Sequence, residues 1–188
     1  MAAAAAIAEK KGAMEKVFET SLNVKGGYAV NFFALGVPHT VVVDDIIPFY
    51  GGDPMFAGLS NDSSLWPMIL EKSFAKMQGN FKHIEGGWMN RGVRYLMGSP
   101  WDERKISKMT VEELWDYMST NLSAGGIMNA SSVGGSDKFT DKWGIVKGHA
   151  YTVSKVIKLE DGTKLVRARN PWGYDSYMGQ YGAGSPQA

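Results

Sequence analysis

Three histidines are the whole imidazole complement of this 188-residue chain: His39, His83 and His149. Only His149 stands in a setting that suggests chemistry. It follows Gly148 in "VKGHAYTV", and a second short run downstream, "RNPWG", places Asn170 before Pro171 and Trp172. A neutral imidazole acts as a base only when the correct ring nitrogen is free. An amide oxygen accepting from the other ring N–H fixes both the tautomer and the ring orientation. Asn170 is the residue type for that task, and an indole beside it would shield the His–Asn bond from water, where it is stronger. The competing reading is a strand histidine in the core and an asparagine that opens a turn before proline.

Such a base asks for a nucleophile. The chain has no cysteine, which excludes disulfides, thiolate zinc sites and a thiol supplied by these residues. Three scattered histidines give no basis for an all-histidine metal site. The formal net charge of +1 offers no electrostatic ground for a nucleic-acid or anionic-membrane partner. A content of 44% hydrophobic, 12% aromatic and 21% charged residues is that of a folded globular chain, long enough for one domain or two lobes sharing a cleft.

The elements that must position the pair follow from pattern. "MAAAAAIAEKK" lacks a basic segment before its apolar run and is too short to span a bilayer, so it reads as a helix running to about Val17. No segment looks transmembrane, which makes a cytoplasmic, intracellular protein the default. "GGYAVNFFALGVPHTVVVDD" reads as two strands around Gly36-Val37-Pro38. A loop rich in Gly, Pro, Asn and Asp leads to a helix, "LWPMILEKSFAKMQGNF", starting near Ser64 because Pro67 is tolerated only in a first turn; Asn61, Asp62 and the serines are available to cap it. "IEGGWMNRG" breaks the pattern, and a lobe boundary falls near Gly86-Gly87, dividing 1–87 from 88–188.

In the second half, Thr110-x-x-Glu113 is a capping box for a helix whose Val111, Leu114, Trp115, Met118 and Leu122 form one stripe. "AGGIMNASS" and the segment around His149 read as strands, with a hairpin turn at Asp161-Gly162. The fold class is α+β, with a helical first lobe and a β-rich second lobe. A two-residue turn there would pair Val153 with Asn170. His149 and Asn170 would then share a face but stand four residues apart, roughly 13 Å at strand rise. A bulge, strong coiling or a change of direction at Pro171 must close that gap.

The segment "VKGHAYTV…LVRARNPWG" resembles the histidine-to-asparagine segment of the calpain family of papain-like cysteine endopeptidases. "HTVVVDDIIP", "LWPMILEKSFAKMQGNF", "IEGGWMNRG" and "YMGQY" are similar to further family stretches in the same order. The resemblance implies a two-lobe papain-like core and calcium-dependent hydrolysis of peptide bonds, with protein or peptide substrates. It implies that His149 is the general base, Asn170 its orienting partner and Trp172 the indole covering them. Gly148 would allow close substrate approach.

The chain departs from the family at its nucleophile. "MAAAAAIAEK" resembles the helix that begins just after the family's Cys-Trp pair, and both the cysteine and the glutamine of the oxyanion site are missing. Without thiolate or oxyanion donor, proteolysis by this chain alone is expected to be negligible. Calcium is the cofactor the family implies, and Asp62 and Asp175 are the acidic candidates to bind it, Ser176 standing where another acid is expected. Two readings result: a protease core whose cysteine lies on a missing N-terminal piece, or a catalytically dead calpain-like module serving as a binding or scaffold domain. Asp44 and Asp45 read as loop-fixing acceptors, His39 and His83 as solvent-facing. Trp66, Trp88, Trp101, Trp115 and Trp143 read as packing residues.

Overall fold

A computed structural model describes residues 1–19, 26–60, 62–183 and 185–187. Asn61, one of the expected capping residues, lies outside them. The chain divides into two compact units, one of Lys10–Asp102 with Met1 and Ala3, the other of Glu103–Ala188 with Ala2 and Ala4–Glu9. The Gly86-Gly87 passage, the expected boundary, lies inside the first unit. Helices and three small sheets together give an α+β chain.

The first unit is built on an antiparallel sheet of β1 (Phe18–Glu19), β2 (Gly27–Ala34) and β3 (Val37–Asp44), in that order. The β2–β3 turn is Leu35-Gly36, one residue earlier than expected, closed by the pair Ala34↔Val37. Val30, Phe32, Val41 and Val43 are buried, as are Met68, Ile69 and Leu70 of α2 (Trp66–Gln78). Phe32 meets Phe74 at 5.9 Å between centroids, and Phe74 meets Tyr95 edge-on at 5.6 Å. Lys76 Nζ donates to Val42 O at 2.7 Å, and Lys72 pairs with Asp44, tying α2 to β3. Asp44 thus fixes the loop as expected, also accepting from Ile46 N at 2.9 Å.

A two-stranded pair, β4 (Phe49–Tyr50) and β5 (Asp53–Pro54), lies in the loop that follows. Helix α3 (Met89–Met97) begins inside "IEGGWMNRG", the stretch expected to break the pattern. Its N-cap Trp88 makes no side-chain cap, and Gly92, a poor helix former, stands inside it, so no start signal marked it.

Helix α1 spans only Ala2–Ala8, not the stretch to Val17. Gly12 takes φ +74°, a left-handed conformation that ends helices, and a separate 3₁₀ turn covers Met14–Lys16. In the second unit, Glu9 pairs with Arg169 at 2.9 Å, and Thr152 Oγ1 donates to Ala2 O at 3.5 Å. Helix α4 (Val111–Ser123) has the full reciprocal capping box of Thr110 and Glu113, which also holds the Glu113 carboxyl below its ordinary range. Met118 is buried, whereas Val111 is exposed rather than part of the apolar stripe. Of the tryptophans expected to pack, Trp66 and Trp115 are half-buried, while Trp88, Trp101 and Trp143 are exposed. His39 and His83 are exposed as expected.

The second sheet, β6 (Met128–Ser131), β7 (Ala150–Lys158) and β8 (Lys164–Arg169), is antiparallel in that order. Its hairpin has a three-residue loop, Glu160–Gly162, in place of the expected two-residue turn. Leu159 N donates to Thr163 O at 2.9 Å, and Gly162 N donates back to Leu159 O at 3.0 Å. Gly162 takes φ +88°, the left-handed residue that closes a type I turn in loops of this length.

Candidate active site

The register of β7 on β8 decides whether His149 and Asn170 meet. Lys158 faces Lys164, and a bulge between Val153 and Lys155 leaves Ser154 without a partner. Past the bulge Val153 faces Ala168, so the expected pairing of Val153 with Asn170 is wrong by two residues. The longer loop accounts for one residue of the slip and the bulge for the other. The last pair is Thr152↔Arg169, and Pro171, with no N–H to donate, stops the strand just beyond.

Continued by one residue, the ladder places Asn170 at the level of Tyr151. His149 lies two residues further along the same face, about 7 Å away at strand rise, a diagonal distance that side chains span. His149 Nε2 and Asn170 Oδ1 are 2.9 Å apart. The same oxygen accepts from Trp172 N at 3.0 Å, so it is the carbonyl end of the amide that faces the ring. Nε2 must therefore carry the hydrogen of the neutral imidazole, and Nδ1 is left with its lone pair. Asn170 thus fixes the tautomer and the orientation of the ring.

Packing holds the ring from two sides. Trp172 lies 4.2 Å from it between centroids, tilted by 48°, and Tyr151 meets it edge-on at 5.1 Å and 88°. Trp172 itself is 44% exposed and leans on Tyr174 at 5.8 Å. The histidine backbone is clamped by Ser132, whose N–H donates to His149 O at 2.9 Å and whose Oγ accepts from His149 N at 2.9 Å. Tyr151 and Ser132 were not anticipated from the sequence. Tyr151 had a signal, its place two residues after His149 on one strand face; Ser132, across a sheet ladder, had none.

Gly148 takes φ +57° and donates from its N–H to Val133 O at 2.9 Å. A Cβ there would overlap the Gly135 carbonyl oxygen. The close approach that requires glycine at this point is thus internal, between neighbouring loops.

The two acidic residues expected to bind calcium each accept local hydrogen bonds, those on Asp62 all falling on Oδ1. Asp62 accepts from the hydroxyls of Ser60 and Ser64 and from Ser64 N at 3.1 Å, and these bonds hold its carboxyl down to about 2. It lies against those serines instead of capping α2, whose N-cap Leu65 makes no side-chain bond. Asp175 accepts from Tyr177 N at 2.9 Å and Ala183 N at 3.3 Å, one amide on each oxygen. No cluster of three or more His, Cys, Asp or Glu able to hold a metal is present among the described residues. Among the described residues, neither Asp62 nor Asp175 belongs to such a cluster.

The site thus brings together an imidazole, an asparagine amide oxygen hydrogen-bonded to it and an indole packed beside it. The profile described as "Calpain family cysteine protease" matches residues 1–187. The chain belongs to the calpain family. Among calpain-type relatives, it is 32% identical over 195 residues to the calpain-type cysteine protease DEK1 of Zea mays, covering 100% of this chain and 9% of that protein. The calpain-type cysteine protease ADL1 of Oryza sativa subsp. japonica is 34% identical over 179 residues, 92% of this chain and 8% of that protein. The calpain-2 catalytic subunit of Homo sapiens is 29% identical over 171 residues, 87% of this chain and 24% of that protein. The chain therefore spans about a tenth of the plant calpains and a quarter of the human one. These 188 residues include no cysteine. Among the described residues, no helix is long and apolar enough to cross a membrane.

Proposed function

We propose that these residues form the base-bearing portion of a calpain-type endopeptidase core acting on proteins or peptides, with the thiolate supplied by a segment outside them. Residues 1–87 belong to the first lobe of that core and 88–188 to the second. In the reaction, the thiolate attacks a peptide carbonyl carbon and the C–N bond then breaks. His149, as imidazolium after taking the thiol proton, passes a proton from its Nδ1 to the leaving amine. Water, deprotonated by the same nitrogen, then cleaves the thioester and regenerates the thiol. Asn170 keeps Nε2 protonated throughout, and Trp172 and Tyr151 limit the ring to one orientation. The complete protein works inside the cell. Any calcium control is expected to rest chiefly on groups beyond Asp62 and Asp175, which belong to no acidic cluster among the described residues.

The observation supporting this reading is the 2.9 Å contact of His149 Nε2 with an Asn170 oxygen whose identity the Trp172 amide fixes. These 188 residues alone have no thiolate, and their own peptidase activity is expected to be negligible. The test is to express the chain with its upstream coding sequence and treat it with an epoxide probe selective for activated thiolates. Labelling is expected, and His149→Ala should abolish it. An upstream sequence with no cysteine, or labelling indifferent to His149→Ala, would overturn the reading in favour of a non-catalytic binding module.

A further inference from the structure

The segment after Gly173 is bound to a second loop, and that loop in turn is bound to the histidine's neighbour. Ser176 Oγ donates to Gly144 O at 2.7 Å, and Met178 N donates to Trp143 O at 2.8 Å. Gly144 has φ +82°, and a Cβ on it would overlap the Ser176 carbonyl oxygen, so the two backbones touch. The loop carrying Gly144 is closed on itself: Asp141 Oδ1 accepts from Trp143 N at 2.8 Å and from Ile145 N at 2.9 Å. Immediately after it, the buried Val146 donates its N–H to Tyr151 Oη at 2.9 Å, and the Tyr151 ring is the one set edge-on against His149.

A hydroxyl at position 176 can donate to the Gly144 carbonyl. A carboxylate there would present lone pairs to that carbonyl and need a cation between them. The acidic residue that the family pattern leads one to expect is replaced by a donor, and Asp175 beside it has both oxygens taken by amides.

We infer that Ser176 and Tyr151 are positioning residues, forming with loop 141–146 a metal-free strap that holds Trp172 and His149 against each other. Its significance rests on His149 being the base, but its test needs no thiol. A failure to find protease activity in the extended chain leaves it standing, and its own failure leaves the protease reading standing.

The experiment is ¹⁵N NMR of the His149 ring in the 188-residue chain. With calcium chloride or with chelator, one spectrum is expected: the Nε2–H tautomer with a slowly exchanging ring proton. Ser176→Ala and Tyr151→Phe each delete one bond of the strap, and each should accelerate Nε2–H exchange roughly two- to tenfold. Amides of β2 and β3 should be unchanged in both. Ser176→Thr, which keeps the donor, should restore the wild-type rate, a rescue that loss of general stability would not show. Calcium-dependent ring signals in the wild type, or wild-type exchange in both variants, would overturn the inference. Should Ser176→Ala fail to fold, Tyr151→Phe, which removes only one oxygen, decides alone.

Discussion

His149 and Asn170 share one hydrogen bond of 2.9 Å, and the asparagine oxygen that receives it is itself fixed by the Trp172 amide at 3.0 Å. The orienter is thus oriented from outside. Asn170→Ala leaves the Trp172 N–H without its acceptor and the ring without its anchor. The expected result is a mixture of Nε2–H and Nδ1–H tautomers in the His149 ¹⁵N spectrum and a loss of about 1 kcal/mol in urea unfolding. Asn170→Asp keeps an acceptor for both donors and should keep the single tautomer. A single Nε2–H tautomer retained in Asn170→Ala would mean that packing by Trp172, not the hydrogen bond, sets the ring.

Gly148 separates an internal from a substrate-facing requirement. Its left-handed backbone and the Gly135 carbonyl in the path of a Cβ predict that Gly148→Ala destabilises the chain by roughly 1–2 kcal/mol from backbone strain, with a further cost from the overlap. Thermal unfolding reads this directly. A variant as stable as the parent would return the glycine to a role in admitting substrate.

What was legible in the sequence is what local chemistry decides. The Thr110–Glu113 box involves residues three apart, so its two reciprocal bonds need nothing distant, and the structure has both. The two strands expected around Gly36-Val37-Pro38 and the hairpin through Asp161-Gly162 were visible from β-branched runs and turn residues, though the first turn falls at Leu35-Gly36. The register was not. Whether Asp161-Gly162 forms a two- or a three-residue loop, and whether Ser154 bulges, depends on what β6 and β8 offer across the ladder, and a slip of two residues is the difference between a 13 Å gap and a contact. Helix α3 escaped because it lacks a capping side chain and carries Gly92. In the site, His149, Asn170 and Trp172 were marked by a shared run of motifs, whereas Ser132 reaches His149 only across the sheet.

The loop ahead of α2 yields a pH prediction whose sign follows from Asp62. Bonds from the Ser60 and Ser64 hydroxyls and the Ser64 amide favour the carboxylate, lowering its pKa from an ordinary 3.8 to about 2. A depressed folded-state value means that the loop's contribution is fully present above about pH 4 and is lost as the pH falls through about 2. The Ser64 amide shift in an acid titration should therefore inflect near pH 2. An inflection near 3.8 would show that the serine bonds do not persist in solution, and Asp62→Asn should abolish the inflection altogether.

The turn between β2 and β3 carries a correctable strain. Ala34 pairs with Val37, leaving Leu35 and Gly36 as a two-residue loop with φ values of 51° and 83°. Positive φ at both positions is a type I′ turn, for which Asn-Gly is the preferred pair because asparagine tolerates the left-handed region that a leucine Cβ resists. Leu35 has no packing to set against that cost, since it is 94% exposed. Leu35→Asn should therefore stabilise the first unit by about 1 kcal/mol, the scale of the left-handed penalty for an L-residue. Leu35→Gly relieves the same clash but widens the unfolded ensemble, so its gain should be smaller. Urea denaturation monitored at the β2 and β3 amides measures both, the midpoint moving without a change in slope. A leucine variant series in which Asn is no better than the parent would show that contacts made by the Leu35 side chain, not backbone strain, govern this turn.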